Sequence, residues 1–519
     1  MSQPNILFII TDQQRAADTG FMGNQVVRTP SMDKIAAQGM VFENAWVANP
    51  VCMPNRSSIL TGRMPTAHGV IFNDRSLDWG ANTFARQFRK AGYRTGLLGK
   101  SHLQHGTSRN SMVPFRGEGV SRNTYPEDWD GVEHFERYVE SAPQDPEDFY
   151  GFERVRFSLD HGARVSGHHY RWALEQGADS SSLLTEYGED APGSHQSSEW
   201  WQIYQPPYGE ELHSTTFVAN ETIKFIEESA SQKQPFLAWC SFPDPHHPMT
   251  PPGDWFFRHK PEDMVLPESR HDSLEDAPKH LQLFKQIHPK DQRNWVAPCG
   301  YGSDELLKQA IAATYGSIEM IDHEIGRILA VLESLNLQDD TIIVFTSDHG
   351  DMMGEHGLFL KGFMHYRGTL QVPMVISVPG KKAGRSNALS SSIDLGVSLL
   401  DICGLDSFAG MQGKSLAPLL DDPTASVRDY VLVEDDLPDI TAEITPFPGK
   451  TRTLITEEFR FTRNIKGEEQ LFDLRTDPDE MHDLKIKDSA ARLKMVDQLA
   501  TALLDTDDAN RGAPAMQSF

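Results

Sequence analysis

The near-continuous apolar run Thr341-Ile342-Ile343-Val344-Phe345-Thr346-Ser347, closing on Asp348-His349-Gly350-Asp351, sets the reading of this chain. A run of that length reads as a strand buried on both faces, and the residues that end it are of types that carry chemistry. The design recurs three times. Ile6 to Ile10 ends at Asp12, Tyr93 to Gly99 ends at Lys100 and His102, and Pro235 to Phe242 ends at Asp244-Pro245-His246-His247-Pro248. Helical patterns lie between: Ser31 to Gln38, Thr83 to Lys90, Thr216 to Ser229, and Glu305 to Leu335, where Leu306, Ala310, Ile318, Ile321, Ile325, Ile328, Leu329 and Leu332 fall near helical spacing. Strands alternating with helices predict an α/β fold, a large mostly parallel sheet flanked by helices. Such sheets bind ligands beyond the carboxyl ends of their strands. The four polar clusters are therefore expected to meet at one site.

The 519 residues, 39% hydrophobic and 24% charged, are enough for one large domain and a smaller one, with the composition of a globular protein. No apolar run approaches the ~18 residues of a membrane span. Met1-Ser2-Gln3-Pro4 leads directly into the first strand, without the basic residues or the cleavage site of a signal peptide, so a cytoplasmic location is expected. Cys52, Cys240, Cys299 and Cys403 are scattered, in keeping with a reducing compartment. A net charge of −26 argues against nucleic acid or an anionic membrane as partner. It also means that any anionic substrate needs a pocket made locally positive against the global field.

The stretch from about Gln104 to Glu211 breaks the rhythm. It is rich in Gly, Pro, Ser, Asp and Glu and carries Tyr125, Trp129, His161, His168, His169, Tyr170, Trp172, Trp200, Trp201, Tyr204 and Tyr208. Two readings stand: a lid that shapes a pocket, or aromatics that pack the insertion on itself. A helix from Ile393 to Cys403 ends at Gly404, a C′ glycine. Beyond about residue 426 come strand-like pieces at Tyr430 to Val433, Lys450 to Thr456, Phe459 to Asn464 and Glu469 to Leu474, then a helix around Ala490 to Leu504. The expected division is a catalytic domain over 1–425 and a small α+β domain over 426–519.

One stretch bears on chemistry more than any other: Asn49-Pro50-Val51-Cys52-Met53-Pro54-Asn55-Arg56-Ser57-Ser58-Ile59-Leu60-Thr61-Gly62-Arg63. Prolines pin the backbone on both sides of Cys52, Arg56 follows within a turn, and a helix is expected to open at Ile59-Leu60. A cysteine beside a cation near a helix start is a place for thiol chemistry. Cys52-x-Pro54-x-Arg56 followed by Leu60-Thr61-Gly62-Arg63 resembles the signature of the cysteine-type sulfatases of the alkaline phosphatase superfamily. The resemblance runs from Pro4 to about Leu484. It implies that Cys52 is oxidised to formylglycine by a formylglycine-generating enzyme, and that the aldehyde hydrate is the nucleophile. A hydrate can attack with one hydroxyl and expel sulfate with the other, an exit that a thiol lacks.

Sulfate ester hydrolysis also needs charge stabilisation and a proton for the leaving oxygen. Asp12, Asp348 and His349, each at a strand end, suit a hard divalent ion. The resemblance implies that these three and the residue-52 formylglycine hold one such ion, Ca2+ first, with Mn2+ or Mg2+ as alternatives. Arg56, Lys100 and Lys361 bring charge, and Asn73, His102 and His246 bring directed hydrogen bonds. By the family pattern, Arg56 and Lys100 hold the hydrate, His102 takes a proton when sulfate leaves, His246 and Lys361 grip the substrate and assist the leaving oxygen, and Asn73 contacts the anion. Asp12-Gln13 is more like the phosphonate monoester hydrolase and choline sulfatase branch than the paired aspartates of many sulfatases, and Gln13 is not counted as a ligand. His247 and His323 are read as structural. The function expected is hydrolysis of a small organic sulfate ester by a dimer or tetramer. The alternatives are a phosphonate monoester or phosphodiester hydrolase with the same machinery, and a non-catalytic metal-binding protein whose Cys52 is never converted.

Overall fold

The computed structural model describes residues 3–73, 75–105, 129–184, 193–292, 296–438, 442–443 and 447–506. Eight strands form the main sheet: β1 (Asn5–Thr11), β2 (Met40–Trp46), β3 (Arg94–Gly99), β4 (Arg154–Phe157), β5 (Phe236–Ser241), β6 (Thr341–Ser347), β7 (Met374–Ser377) and β8 (Gly384–Ser391). Their order is β8-β2-β7-β6-β1-β5-β3-β4. The pairings are parallel except at β7, which runs against both β2 and β6. The sheet is thus mixed but mostly parallel. The four runs with chemical ends are consecutive in it, as β6-β1-β5-β3.

The longer helices are α1 (Pro30–Gln38), α2 (Cys52–Thr61), α3 (Phe84–Lys90), α4 (Ser214–Gln232), α5 (Asp304–Ser334), α6 (Asp394–Ile402) and α7 (Ser489–Thr506). Side chains alternate across a strand, and β1 shows what this does. Leu7 and Ile9 join a core with α1, α4 and α5, while Ile6, Phe8 and Ile10 join a second core with α2, α3 and α6. The sheet is buried on both faces, hence the near-continuous apolar runs.

The helix after Cys52 starts seven residues earlier than the Ile59-Leu60 pair suggests. Cys52 itself is its first residue. Pro54 sits in the first turn, where a missing N–H costs nothing. Asn73 Oδ1 accepts from the Met53 N–H at 3.1 Å, and Gly62 closes the helix at φ 65°, donating to the Ser58 carbonyl. All ten residues of α2 are buried, polar ones included, so no amphipathic stripe marks where it begins.

The insertion is more built than its composition suggests. It supplies β4, an edge strand parallel to β3. Tyr170 and Tyr208 pack with Val165, Ala173 and Leu183, and Trp200 stacks on Phe359 with centroids 4.8 Å apart. Tyr170 and Tyr208 thus pack the insertion on itself, whereas Trp200 packs against a residue outside it. Tyr125 and the tail from 507 onward lie outside the described residues.

A second sheet, antiparallel, is formed by β9 (Val431–Asp436), β10 (Lys450–Ile455), β11 (Phe459–Asn464) and β12 (Glu469–Asp473). Helix α7 covers it through Met495, Leu499 and Ala502 against Leu454, Phe461 and Leu471. Among the described residues no helix is long and apolar enough to cross a membrane.

Candidate active site

Register carries the four strand ends to one level. Thr11 pairs with Ser347 and Gly99 with Ser241, and the ladder continues one step past the strands. Asp348 N–H donates to Thr11 at 3.1 Å, Asp12 N–H to Asp244 at 3.2 Å, and Lys100 N–H to Ser241 at 2.9 Å. Gly99 makes the last contact possible. At φ 111°, a Cβ there would lie 1.9 Å from the Ser241 carbonyl oxygen, so no other residue fits before Lys100.

Asp12, Cys52, Asp348 and His349 are all buried, and one donor atom from each lies within 4.8 Å of the others. His349 Nε2 is 3.2 Å from Cys52 Sγ, 3.6 Å from Asp12 Oδ1 and 3.5 Å from Asp348 Oδ1. Its Nδ1 meets the Gly350 carbonyl at 2.9 Å. A carbonyl only accepts, so Nδ1 carries the proton and the Nε2 lone pair faces the carboxylates. Burial first, with Lys361 adding to it, holds His349 down at about 4, which keeps that lone pair available. This is a metal-ligand arrangement with its outer hydrogen bond in place. Two carboxylates and an imidazole suit a hard divalent cation.

Arg56 lies between the two aspartates with no exposed surface. Its Nε donates to Asp348 Oδ2 at 2.7 Å, Nη2 to Asp12 Oδ2 at 3.2 Å, and Nη1 to Ser241 Oγ and the Lys100 carbonyl at 2.8 and 3.0 Å. Lys100 Nζ also donates to Asp12. Burial pushes the Asp12 carboxyl up, but Lys100, Arg56, Lys361 and His349 together outweigh it and hold the group well below the usual carboxylate range. The pocket is locally cationic inside a chain of net charge −26.

Lys361 Nζ reaches Cys52 Sγ at 3.2 Å and Gln13 Oε1 at 2.8 Å, and it contacts His246 Nε2. Gln13 spends its amide nitrogen on Asp351 and on His247 Nδ1, the latter at 3.0 Å. His247, read from sequence as structural, therefore borders the site, and its ring stacks on His246 with centroids 4.0 Å apart. Asn73 sits at the start of α2 with its carbonyl oxygen on Met53. His102 is less central. Its backbone is left-handed (φ 53°), and its ring lies beside His161, centroids 6.2 Å apart. Burial, then Lys100 and His161, hold it well below the ordinary histidine range.

The contacts that His161 and Asp435 make with the site are not announced by the sequence. His161 follows β4, so a fifth parallel strand end feeds the site; β4 alternates charged and apolar residues (Arg154-Val155-Arg156-Phe157), so no apolar run marks it as the other four are marked. Asp435 of β9 accepts from the Phe363 N–H at 2.7 Å and pairs with His365, so the second sheet anchors the loop that carries Lys361. Nothing in the local pattern of β9 announces that long-range contact.

The chain matches the family described as Sulfatase over residues 4–405 and the one described as N-sulphoglucosamine sulphohydrolase, C-terminal, over residues 354–508. It is 32% identical over 493 residues to an arylsulfatase of Clostridium perfringens, covering 93% of this chain and 90% of the relative. A choline-sulfatase of Rhizobium meliloti is 24% identical over 488 residues, covering 93% and 82%. The fold is similar to that of a phosphonate monoester hydrolase of Agrobacterium radiobacter, with TM-score 0.77, 24% identity and coverage of 97% and 96%. On a match that spans most of its length, the chain belongs to the sulfatase family of the alkaline phosphatase superfamily and is a sulfuric ester hydrolase.

Proposed function

We propose that the chain cleaves a small organic sulfate monoester at the cluster of Asp12, Cys52, Asp348 and His349. These four side chains would hold a divalent ion, Ca2+ the first candidate, which would supply charge stabilisation, and a formylglycine made from Cys52 would supply the nucleophilic hydroxyl. The rest is the work of the chain's own residues. Arg56 donates to both aspartates and aims them at one point. Lys100, which donates to Asp12, and Lys361, which reaches residue 52, offer N–H donors to the sulfate oxygens, where negative charge gathers. Lys361 can give a proton to the leaving oxygen, and His246 Nε2, which accepts a hydrogen bond from Lys361, orients it for that transfer. His102, kept neutral, can accept a proton on the opposite side. Asn73 retains its amide N–H groups for the anion while its oxygen fixes α2.

The observation that carries this reading is the convergence of four buried ligand atoms within 4.8 Å, flanked by two lysines that reach Asp12 and Cys52. Steady-state turnover of 4-nitrophenyl sulfate beside 4-nitrophenyl phenylphosphonate tests it. The sulfate is expected to be the better substrate, and a large excess for the phosphonate overturns the choice. That second reading draws on Asp12-Gln13: the Gln13 amide, bonded to Lys361 and Asp351, stands where many sulfatases have a second aspartate. Lys100 and His102 favour the sulfate. Maturation by a formylglycine-generating enzyme, the division near residue 425, assembly as a dimer or tetramer and a cytoplasmic location belong to the same proposal.

A further inference from the structure

His161 lies on the insertion, four residues past β4, yet it touches two residues of the proposed machinery. Its Nε2 contacts Lys100 Nζ, and its ring stacks on His246 with centroids 3.9 Å apart and planes 29° apart. An ammonium has three donors and no acceptor, so in the contact with Lys100 the imidazole must offer its lone pair. The proton of His161 is then on Nδ1, on the side of Asp160, whose Oδ1 lies 3.7 Å away. The same logic fixes His246. Its Nε2 accepts from Lys361, and its Nδ1 donates to the His247 carbonyl. Burial, then His161, His247, Lys361 and Lys100, hold His246 well below the ordinary histidine range, as a lone-pair role requires.

A lysine is a compact charge on a flexible four-carbon stem. Aiming it needs at least two fixed partners. For Lys100 these are Asp12 and His161, which leaves the third N–H for an anion. Donor atoms of Asp12, His161 and His246 also lie within 4.8 Å of one another, the spacing of a second cation site. The Lys100 ammonium donates to both Asp12 and His161, so the chain already supplies the positive charge there.

We propose that His161 is a positioning residue: its Nε2 lone pair aims Lys100 at the substrate anion, and its stacked ring ties Lys100 to His246 as one frame. The identity of that anion as sulfate rests on the function proposed above. The test is a double-mutant cycle read by calorimetric binding of inorganic sulfate, and in parallel of phenylphosphonate, to the Ca2+-supplemented protein. The variants are His161→Phe, which keeps a stacking ring but no acceptor; His161→Gln, which keeps an acceptor; Lys100→Ala; and His161→Phe with Lys100→Ala. Loss of one charge-assisted hydrogen bond in His161→Phe should weaken anion binding about tenfold. His161→Gln should recover most of that loss. With Lys100→Ala in place, His161→Phe should cost less than about twofold, because its partner is gone. Urea midpoints of His161→Phe and His161→Gln should agree with each other, so that a difference between them in anion binding is not a difference in folding.

Equal losses from His161→Phe with and without Lys100, or a His161→Gln variant no better than His161→Phe, would overturn the proposal. A wild type that binds phenylphosphonate, but neither binds sulfate nor turns over 4-nitrophenyl sulfate, overturns the functional reading instead, and the cycle still reports the coupling. A wild type that binds neither anion overturns both.

Discussion

Replacing Arg56 by alanine removes the guanidinium that bridges Asp12 and Asp348. The side chain is wholly buried and donates four hydrogen bonds, two to carboxylates and two to the neutral acceptors Ser241 Oγ and the Lys100 carbonyl. Removing one partner of a buried ion pair costs about 3–5 kcal/mol, because the other charge is left uncompensated. Two neutral acceptors losing their donor add about 1 kcal/mol each. Lys100 and Lys361 stay beside Asp12 and soften the loss, so about 4 kcal/mol is expected, against a total of about 5–15 kcal/mol for a folded protein. Arg56→Lys keeps the charge but not the planar fork and should cost about 2 kcal/mol. The assay is urea unfolding at pH 7 with chelator present, followed by tryptophan fluorescence. An Arg56→Ala variant within about 1 kcal/mol of wild type would refute the claim that this guanidinium compensates the aspartates. A lysine variant as unstable as the alanine variant would show that geometry alone, rather than charge, sets the cost.

Three further outcomes follow from the same contacts. Wild type should gain about 2.7 kcal/mol of stability at Ca2+ a hundredfold above its dissociation constant; Asp348→Asn should lose that gain, and calorimetric Ca2+ binding as tight as wild type would contradict the ligand assignment. Burial pushes Glu133 up from 4.5 to about 7, even though its carboxylate accepts from Ser101, His102, Leu103 and Gln104. A folded value above the unfolded one means a stabilisation present below pH 4.5 and lost as pH rises through 7. The stability of wild type relative to Glu133→Gln should therefore fall by about 3 kcal/mol across that window, and a difference flat with pH in urea titrations would contradict it. Asp435→Ala removes the acceptor of the Phe363 N–H, two residues from Lys361, so kcat/KM for 4-nitrophenyl sulfate should drop about tenfold while Ca2+ affinity holds; unchanged kinetics would show that this anchor does not matter.

The central strands were legible because burial on both faces writes itself into composition. Ile6 to Ile10 and Thr341 to Ser347 admit little that is polar, and each closes on the residues that reach the cluster. The longest helices were legible from periodicity, and the bounds of α5 differ from the expected ones by one residue at each end. The start of α2 was not. Its buried Asn55 and Arg56 are held by partners far away in the chain, such as Asp348 and Ser241, so no local pattern exposes them. Strand β7 was missed as an antiparallel element because it is four residues long and set by its neighbours β2 and β6. His161 and Asp435 were invisible for a related reason: each acts on a residue more than sixty positions away, across loops whose course only tertiary packing decides. The composition of the insertion left two readings open, since glycine, proline and serine can line a lid or thread a small core equally well.

Residue 52 in its oxidised form is the proposed nucleophile. Peptide mass spectrometry across Cys52, paired with 4-nitrophenyl sulfate turnover of the same preparations, tests this most directly, because conversion makes that peptide about 18 Da lighter. Preparations made with graded amounts of a formylglycine-generating enzyme should show turnover proportional to the converted fraction and none for Cys52→Ala. Undiminished turnover from fully unconverted protein, or from Cys52→Ala, would contradict it.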